Sequence, residues 1–279
     1  MEGSDPTQHY SLGYTDAEHE RLISQASRLA PVTERLFLEA GIGRGQRVLD
    51  VGSGVGDVAM LVAGLVGPSG EVVGVERDAR SIARARARMA QAGLRNVSFI
   101  RSDVSEIPGN KPFDAAVVRL ILEFVPDPLA ALRTVCRLVR PGGVLAFHEP
   151  CHAAVLLLSA HLPLWSATVS LIHQTLLRSG AHTDIGLELQ RLFLEAGLPA
   201  PAMHMEILLG SKPDFTRLTY DLLCSLRPQA QQQNLSLEPL GDFGTLPERL
   251  QAEVDAAKTA VPLVALVGAW SRKAAVASS

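Results

Sequence analysis

The sequence lacks several features that mark common functional classes. Only three cysteines occur in 279 residues, and Cys136, Cys151 and Cys224 lie too far apart to form a C-x-x-C pair. This spacing indicates neither a zinc site nor a disulfide framework, and it is typical of reduced thiols. The first residues contain no basic segment followed by an apolar one, so we expect no secretory signal and a cytoplasmic protein.

An excess of positive charge is also missing. The formal net charge is −3 and the isoelectric point is about 6.2, which excludes a strong electrostatic attraction to polyanions. We therefore expect a small-molecule substrate rather than nucleic acid. Histidine, cysteine and carboxylate residues do not cluster at metal-ligand spacing, so no metal site is expected. A content of 47% hydrophobic and 20% charged residues is ordinary for a folded soluble protein.

One long stretch lacks charge altogether. Residues 150–177 contain no Lys, Arg, Asp or Glu, and Ala153 to Ile172 is mostly apolar. A membrane-spanning helix needs about 20 predominantly apolar residues, but Pro163 interrupts this stretch and no basic residues flank it. We predict two helices that cover a ligand or meet a partner, with a homodimer as one outcome, and no membrane span.

The clearest motif is a glycine turn after an apolar strand. Val48 to Val51 leads into Gly52, Gly54 and Gly56, and a helical pattern follows. Such a turn brings backbone N–H groups and a helix N-terminus close to a ligand, because glycine has no Cβ. The dinucleotide fingerprint G-x-G-x-x-G is absent, since Asp57 stands where its third glycine belongs.

Strand and helix patterns alternate along the chain, which predicts βαβ units and a doubly wound α/β sheet. A Thr15–Glu18 capping box starts a first helix that Pro31 ends, and a second short helix stops at Gly41. The predicted strands are Arg47 to Val51, Glu71 to Val75, Val97 to Ile100, Phe113 to Val118, Val144 to Phe147, Met203 to Leu209 and Leu263 to Val267. Helices are predicted at Asp57 to Val66, Asp78 to Ala92, Asp127 to Val139, Pro163 to Arg178 and Asp184 to Ala196.

We interpret the chain as a single domain, 1–279. Residues 1–44 form an N-terminal helical cap, 45–149 a donor-binding core and 150–183 a helical lid insertion. Residues 184–279 complete the sheet and contain a partly helical insertion at 210–260, in which the glutamines from Gln229 to Gln233 indicate a polar loop.

Ligands of open α/β sheets bind outside the carboxyl ends of the strands. Glu76 ends the second predicted strand, at the place where a carboxylate accepts hydrogen bonds from ribose hydroxyls. Asp103 follows the third and is positioned to accept from an adenine amine. Further polar residues at strand ends are Arg77, Arg119, His148 and Glu149. Glycines and carboxylates in this order indicate a ligand site more specifically than any one of these residues does. The glycines alone could instead mark only a tight turn.

The pattern D-x-G-x-G-x-G resembles the first motif of class I S-adenosylmethionine-dependent methyltransferases, in their small-molecule, natural-product tailoring branch. Val72 to Glu76, Ser102-Asp103 and Leu138 to Gly143 are similar to the later motifs. The resemblance implies a seven-stranded sheet with one antiparallel strand and S-adenosylmethionine as the methyl donor. It implies donor contacts for a set of residues: Tyr10, Tyr14, Asp50, Gly52, Ser53, Gly54, Glu76, Arg77, Asp103, Val104 and Arg119.

The expected reaction is methyl transfer to the oxygen, nitrogen or carbon of a small, largely neutral, apolar or aromatic metabolite. A hydroxyl or carbon nucleophile needs a base. His148 is the first choice because it ends a strand beside the donor, with Glu149 and His152 as further catalytic candidates. The candidate substrate contacts are Tyr14, Glu123, His161, Trp165 and His173. Each histidine could instead be structural, and Trp165 could belong to the core.

Two other functions stay open at the sequence level. The fold could bind S-adenosylmethionine without transferring its methyl group, in a cyclase-like or regulatory role. It could also be a nicotinamide-dependent reductase with an irregular glycine turn.

Overall fold

A seven-stranded sheet forms the centre of the computed structural model, which describes residues 12–109 and 111–275. Its strands are β1 (Arg47–Val51), β2 (Glu71–Glu76), β3 (Val97–Arg101), β4 (Phe113–Arg119), β5 (Val139–Pro150), β6 (Ala202–Gly210) and β7 (Val261–Arg272). They lie in the order β3-β2-β1-β4-β5-β7-β6, with β7 antiparallel to both of its neighbours. This confirms the doubly wound, mostly parallel seven-stranded α/β fold.

Helices cover both faces of the sheet. They are α1 (Asp16–Glu39), α2 (Asp57–Val66), α3 (Ala79–Gln91), α4 (Pro128–Leu138), α5 (His152–Ser159), α6 (Pro163–Arg178), α7 (Ile185–Glu195), α8 (Pro213–Gln232) and α9 (Leu246–Ala257). Short polar side chains begin three of them, and the capping box at Thr15 is confirmed. Thr15, Asp78 and Asp127 each accept a hydrogen bond from a backbone N–H of the first turn.

The first helix corrects one prediction. α1 runs unbroken from Asp16 to Glu39 with Pro31 inside it, so the division into two helices is wrong. Proline removes one backbone hydrogen bond, but Leu29 and Phe37 are both fully buried on either side of Pro31. Burial of one continuous apolar face outweighs that local loss, because most helix stability in proteins comes from packing.

Two further predictions fail at element boundaries. β5 begins at Val139 rather than Val144, because Val139 already pairs with Phe113 and the strand continues through a register shift to Val144, which pairs with Ala115. The glutamines predicted as a loop lie mostly in the last turn of α8, where buried Leu226 and Ala230 continue the helical apolar face.

The core consists of three apolar clusters. One lies between the sheet and α4 and α7, a second between the sheet and α1, α2 and α3, and a third joins α6, α8 and α9. Pro163 separates α5 from α6 as predicted, and the lid helices pack on the third cluster. Among the helices within the described ranges, none has the length and apolar composition that a bilayer crossing requires.

Candidate functional site

A cavity of about 270 Å³ lies above the carboxyl ends of β1, β2 and β4. The chain leaves β1 and β4 toward opposite edges of the sheet, so this is the switch point where doubly wound folds bind ligands. Helices α1, α5, α6 and α8 complete its walls. Strand ends therefore supply the floor of the cavity, and the cap and lid helices supply its roof.

The glycine turn forms one wall of the cavity. Gly54 has φ +50°, and no heavy atom of the described residues lies within 4 Å of the position that a Cβ would take. Gly52 has φ +68°, and a Cβ there would overlap the side chain of Ile121. The turn needs glycine at both positions for the left-handed backbone. At Gly54 the absent side chain also leaves space for a ligand.

Glu76 ties the glycine turn to the end of β2. Its Oε2 accepts the N–H of Gly54 at 3.0 Å, and its Oε1 accepts those of Arg77 at 2.8 Å and Asp78 at 2.9 Å. The carboxylate is nearly buried but lines the cavity. Arg77 Nε in turn donates to the Tyr14 hydroxyl at 2.8 Å, which holds Tyr14 at the cavity wall.

The remaining predicted donor contacts divide into two groups. Ser53, Asp103, Val104 and Arg119 line the cavity, with the Asp103 carboxylate also accepting from the backbone and hydroxyl of Ser105. Asp50 is buried beneath the turn and is not among the described lining residues; burial raises its pKa to about 7. Tyr10 lies outside the described residues.

His148 does not fit the role of a base that touches the acceptor. Its side chain is fully buried, its Nδ1 lies 3.2 Å from the hydroxyl of Thr33 on α1, and it is not among the described lining residues. Burial, with the nearby charge of Arg119, lowers its pKa to about 3. The alternation of side chains along β5 turns His148 toward α1 and away from the lid.

Glu149 is also absent from the described cavity lining. Its Oε1 accepts the backbone N–H groups of Ile121 at 3.1 Å and Leu122 at 3.2 Å. Burial raises the pKa of this carboxyl to about 8, although both hydrogen bonds act in the opposite direction. Glu149 therefore supports the turn after β4 and is not among the described residues that line the cavity.

His152 and Glu123 form a pair at the lid end of the cavity. His152 begins α5, and its Nε2 lies 2.9 Å from Oε1 of Glu123. Burial opposes the charged imidazole, but the charge and hydrogen bond of Glu123 outweigh it and raise the pKa of His152. His173 on α6 lies beside them, with its ring centroid 5.9 Å from that of His152. Burial and the charge of His152 lower the pKa of His173.

Two predicted substrate contacts lie elsewhere. His161 is exposed in the α5–α6 connection, and Trp165 is fully buried in the third cluster. Neither is among the described residues that line the cavity. Trp165 packs with α8 and α9 in this cluster, whereas Val169, Ile172 and Leu176 on the same helix also line the cavity.

Sequence analysis predicted a helical cap at α1 but named none of the α1 residues that line the cavity, and it did not predict a contribution from α8. Arg21 and Gln25 line the cavity, and Arg21 pairs with the buried carboxylate of Glu18, which also accepts from the Ser225 hydroxyl at 2.6 Å. Glu18, Arg21 and Gln25 recur at helical spacing and therefore lie on one face of α1. This spacing is the sequence signal from which their common location could have been predicted. Thr15 and Glu18 indicated only a capping box. Over the described ranges, no three metal-ligating side chains come together.

Known proteins resemble this chain in two ways. A family model of the methyltransferase domain matches residues 42–197, more than half of the chain. Over 111 residues the chain is 39% identical to the ubiquinone/menaquinone biosynthesis C-methyltransferase UbiE of Coxiella burnetii, covering 38% of this chain and 44% of that protein. For the UbiE of Pseudomonas paraeruginosa the identity is 35% over 116 residues, 40% and 45% of the two chains. The chain thus matches less than half the length of these curated relatives.

Solved structures share the fold at lower identity. A protein from Galdieria sulphuraria, named as a candidate sarcosine dimethylglycine methyltransferase, is 18% identical with a TM-score of 0.54, covering 88% of this chain and 85% of that one. The 4+2 cyclase SpnF is 19% identical with a TM-score of 0.52, covering 88% and 82%. The family match and the cavity at the switch point agree, and the chain therefore belongs to the class I S-adenosylmethionine-dependent methyltransferase family.

Proposed function

We propose that this protein transfers a methyl group from S-adenosylmethionine to a small, apolar acceptor that carries an acidic O–H or C–H group. The observation that carries the proposal is the arrangement of one cavity with two different ends. The glycine turn and Glu76 lie at one end, and the His152–Glu123 pair lies at the other. The first suits a nucleoside donor, and the second suits removal of a proton.

The donor end has the chemistry that S-adenosylmethionine requires. The open space beside Gly54 admits a ligand close to the backbone, and Glu76 presents a fixed carboxylate to ribose hydroxyls. Asp103 and Val104 line the cavity and would recognise an adenine, and Gly52, Gly54 and Arg119, which also line it, would hold the methionine part. When bound, the donor supplies a methyl group on a positively charged sulfur.

The acceptor end combines an apolar wall with one proton-accepting pair. Leu156, Val169, Ile172, Leu176 and Leu222 line it, which favours an aliphatic or aromatic body. Few charged groups reach this end, which disfavours a phosphate-bearing acceptor. The apolar wall and the single polar pair at this end of the cavity together favour an acceptor such as a phenol, a quinol or an activated carbon acid.

His152 is the proposed general base. Glu123 lies 2.9 Å from Nε2, and its negative charge favours a proton on that nitrogen, which leaves Nδ1 as the basic nitrogen. The neutral imidazole takes the acceptor proton, and Glu123 stabilises the imidazolium that forms. His173 stays neutral near pH 7 and can accept or donate a hydrogen bond to the acceptor. Alignment in a closed cavity supplies the rest of the rate enhancement.

The curated relatives support an acceptor of this type. Their name describes C-methylation in ubiquinone and menaquinone biosynthesis. A quinol ring must lose a proton when it is methylated at carbon, and its apolar body matches the lid end of this cavity. The shared stretch covers less than half of each relative, so the acceptor remains part of the proposal.

The test measures S-adenosylhomocysteine formation with a panel of catechols, naphthols and reduced, short-chain demethylated naphthoquinones. We expect turnover with at least one class, and a loss of about 10² to 10⁴ in kcat for H152Q. H161Q, which changes an exposed histidine away from the cavity, is the matched control and should retain wild-type turnover.

The same assay gives the pH dependence. Because the neutral form of His152 is the active one, the rate should rise with pH through a pKa above 6.5. E123Q removes the charge that raises this pKa, so its acidic limb should lie at lower pH. Calorimetric binding of S-adenosylmethionine without turnover on any acceptor would favour the cyclase-like or regulatory role. Binding of NAD instead would overturn the donor assignment.

A further inference from the structure

The turn that follows β4 is held in a strained conformation. Leu120 has φ +57°, a left-handed backbone that is unfavourable for a bulky residue. Three successive N–H groups of the turn donate to β5. Leu120 donates to the carbonyl of His148 at 3.1 Å, and Ile121 and Leu122 both donate to the Glu149 side chain. The end of β5 thus fixes the shape of this turn.

The same turn contacts both ends of the cavity. Ile121 packs where a side chain at Gly52 would lie, which places it against the donor turn. Two residues later, Glu123 meets His152 at 2.9 Å, and the Glu123 carbonyl accepts the N–H of His182 at 2.8 Å. A displacement of the turn would therefore move the carboxylate of Glu123 relative to His152.

We propose that Glu149 is a positioning residue that acts through the turn at 120–123 to hold Glu123 against His152. Its link to catalysis rests on the proposed function, whereas the coupling of Glu149 to the Glu123–His152 pair does not. Glu149 itself is fully buried and is not among the described residues that line the cavity.

The proposed role of Glu149 requires an oxygen that accepts hydrogen bonds, and it does not require a negative charge. Two backbone N–H groups point at Oε1, and a neutral carboxyl or an amide carbonyl can also accept both of these hydrogen bonds. A second charge beside Glu123 is unfavourable, since like charges in a buried site oppose each other. Glutamine at position 149 should therefore preserve the turn, whereas an apolar residue would leave both N–H groups without this acceptor, one of them buried.

The electrostatic surroundings of His152 make the coupling measurable. Glu123 and Asp184 favour its charged form, burial opposes it, and His173 is the neighbouring titratable group on α6. If Glu123 moves away, the pKa of His152 falls. This pKa can be measured in the full chain without any acceptor or donor.

The experiment is an NMR titration of histidine-labelled protein, with the His152 resonances assigned by their loss in H152Q. E123Q should lower the pKa of His152 by about one pH unit or more. E149L should lower it in the same direction by at least half as much, and E149Q should leave it at the wild-type value. Should E149L not fold, Glu149→Asp, whose shorter side chain draws the carboxylate back from the turn, is expected to lower the pKa as well.

Two results would overturn the proposal. The first is a wild-type His152 pKa in E149L, or in the Asp variant, while E123Q lowers it. The second is a pKa in E149Q as low as in E149L, which would assign the effect to charge. Because the readout is a titration, a failed search for an acceptor would count against the proposed function and not against this coupling.

Discussion

At the scale of single residues, the glycine turn separates folding requirements from binding requirements. Gly54 and Gly93 both adopt a left-handed backbone, with φ +50° and +68°, and neither has a heavy atom of the described residues near its missing Cβ. Gly54 lines the cavity, whereas Gly93 follows the end of α3. The two positions therefore form a matched pair.

We predict that G54A and G93A lower the free energy of unfolding by similar amounts, about 1–2 kcal/mol each, because both force alanine into a left-handed backbone. Only G54A should weaken S-adenosylmethionine binding, by at least about tenfold, or about 1.4 kcal/mol. Urea unfolding and isothermal calorimetry measure the two effects. Equal donor affinities in the two variants would contradict a ligand beside Gly54.

The histidines show what a sequence can and cannot say about a site. Strand ends, glycines and Glu76 follow from local patterns, and the structure brings Glu76, Asp103 and Arg119 to one cavity. His148 and His152 are only four residues apart, and local sequence does not decide which one meets the cavity. That depends on the face of β5 that α1 covers and on where α5 begins, and both are set by tertiary packing.

At the scale of elements, α1 contains a proline that its packing tolerates. Pro31 is exposed in the middle of a 24-residue helix, so its removal deletes no buried contact. Pro163 is also exposed but lies at the first turn of α6, where the missing N–H has no partner in the helix. The two prolines thus differ in the hydrogen bond that each one removes.

We predict that P31A raises the free energy of unfolding by about 1–3 kcal/mol, since alanine restores a backbone hydrogen bond and has a higher helix propensity. P163A should change it by less than about 0.5 kcal/mol. Chemical denaturation of the two variants gives both values. A destabilised P31A would mean that the proline sets a bend that the cavity wall needs.

At the scale of the whole molecule, buried acids make stability depend on pH. The pKa is raised to about 7 for Asp50 and to about 8 for Glu149, so both groups bind protons more strongly in the folded state. Their stabilising contribution is complete below the unfolded values near 4 and is lost as the pH rises through 7 and 8. His148, with its pKa near 3, acts oppositely and weakens the fold below pH 6.5.

We predict that the free energy of unfolding of the ligand-free protein falls by about 2 kcal/mol between pH 6.5 and 8.5, at about 1.4 kcal/mol per pKa unit. The D50N/E149Q double variant should lose most of this dependence, because neither side chain can then ionise. Urea unfolding at the two pH values is the measurement. A double variant with the wild-type slope would assign the effect to other groups.

Most of the fold could be predicted from the sequence, because alternating apolar strands and amphipathic helices determine a doubly wound sheet. The order of the strands at the far edge could not. β6 comes before β7 in the chain but lies outside it in the sheet, because β7 pairs with β5 on one side and with β6 on the other, and this long-range pairing is not a local sequence signal. The extent of α1 also escaped prediction, since Pro31 is a local signal and the packing of α1 is not.

In the sheet β7 lies between β5 and β6, although it follows β6 in the chain, and this order affects folding while the chain is being synthesised. β6 pairs with β7 alone, yet it precedes β7 by about 50 residues and leaves the ribosome first. A nascent chain that ends before β7 therefore carries a strand with no neighbour in the sheet, and its exposed face includes Met203, Met205 and Leu209. β7 joins β6 to the rest of the sheet, so a C-terminal truncation that deletes β7 also leaves β6 without a strand to pair with.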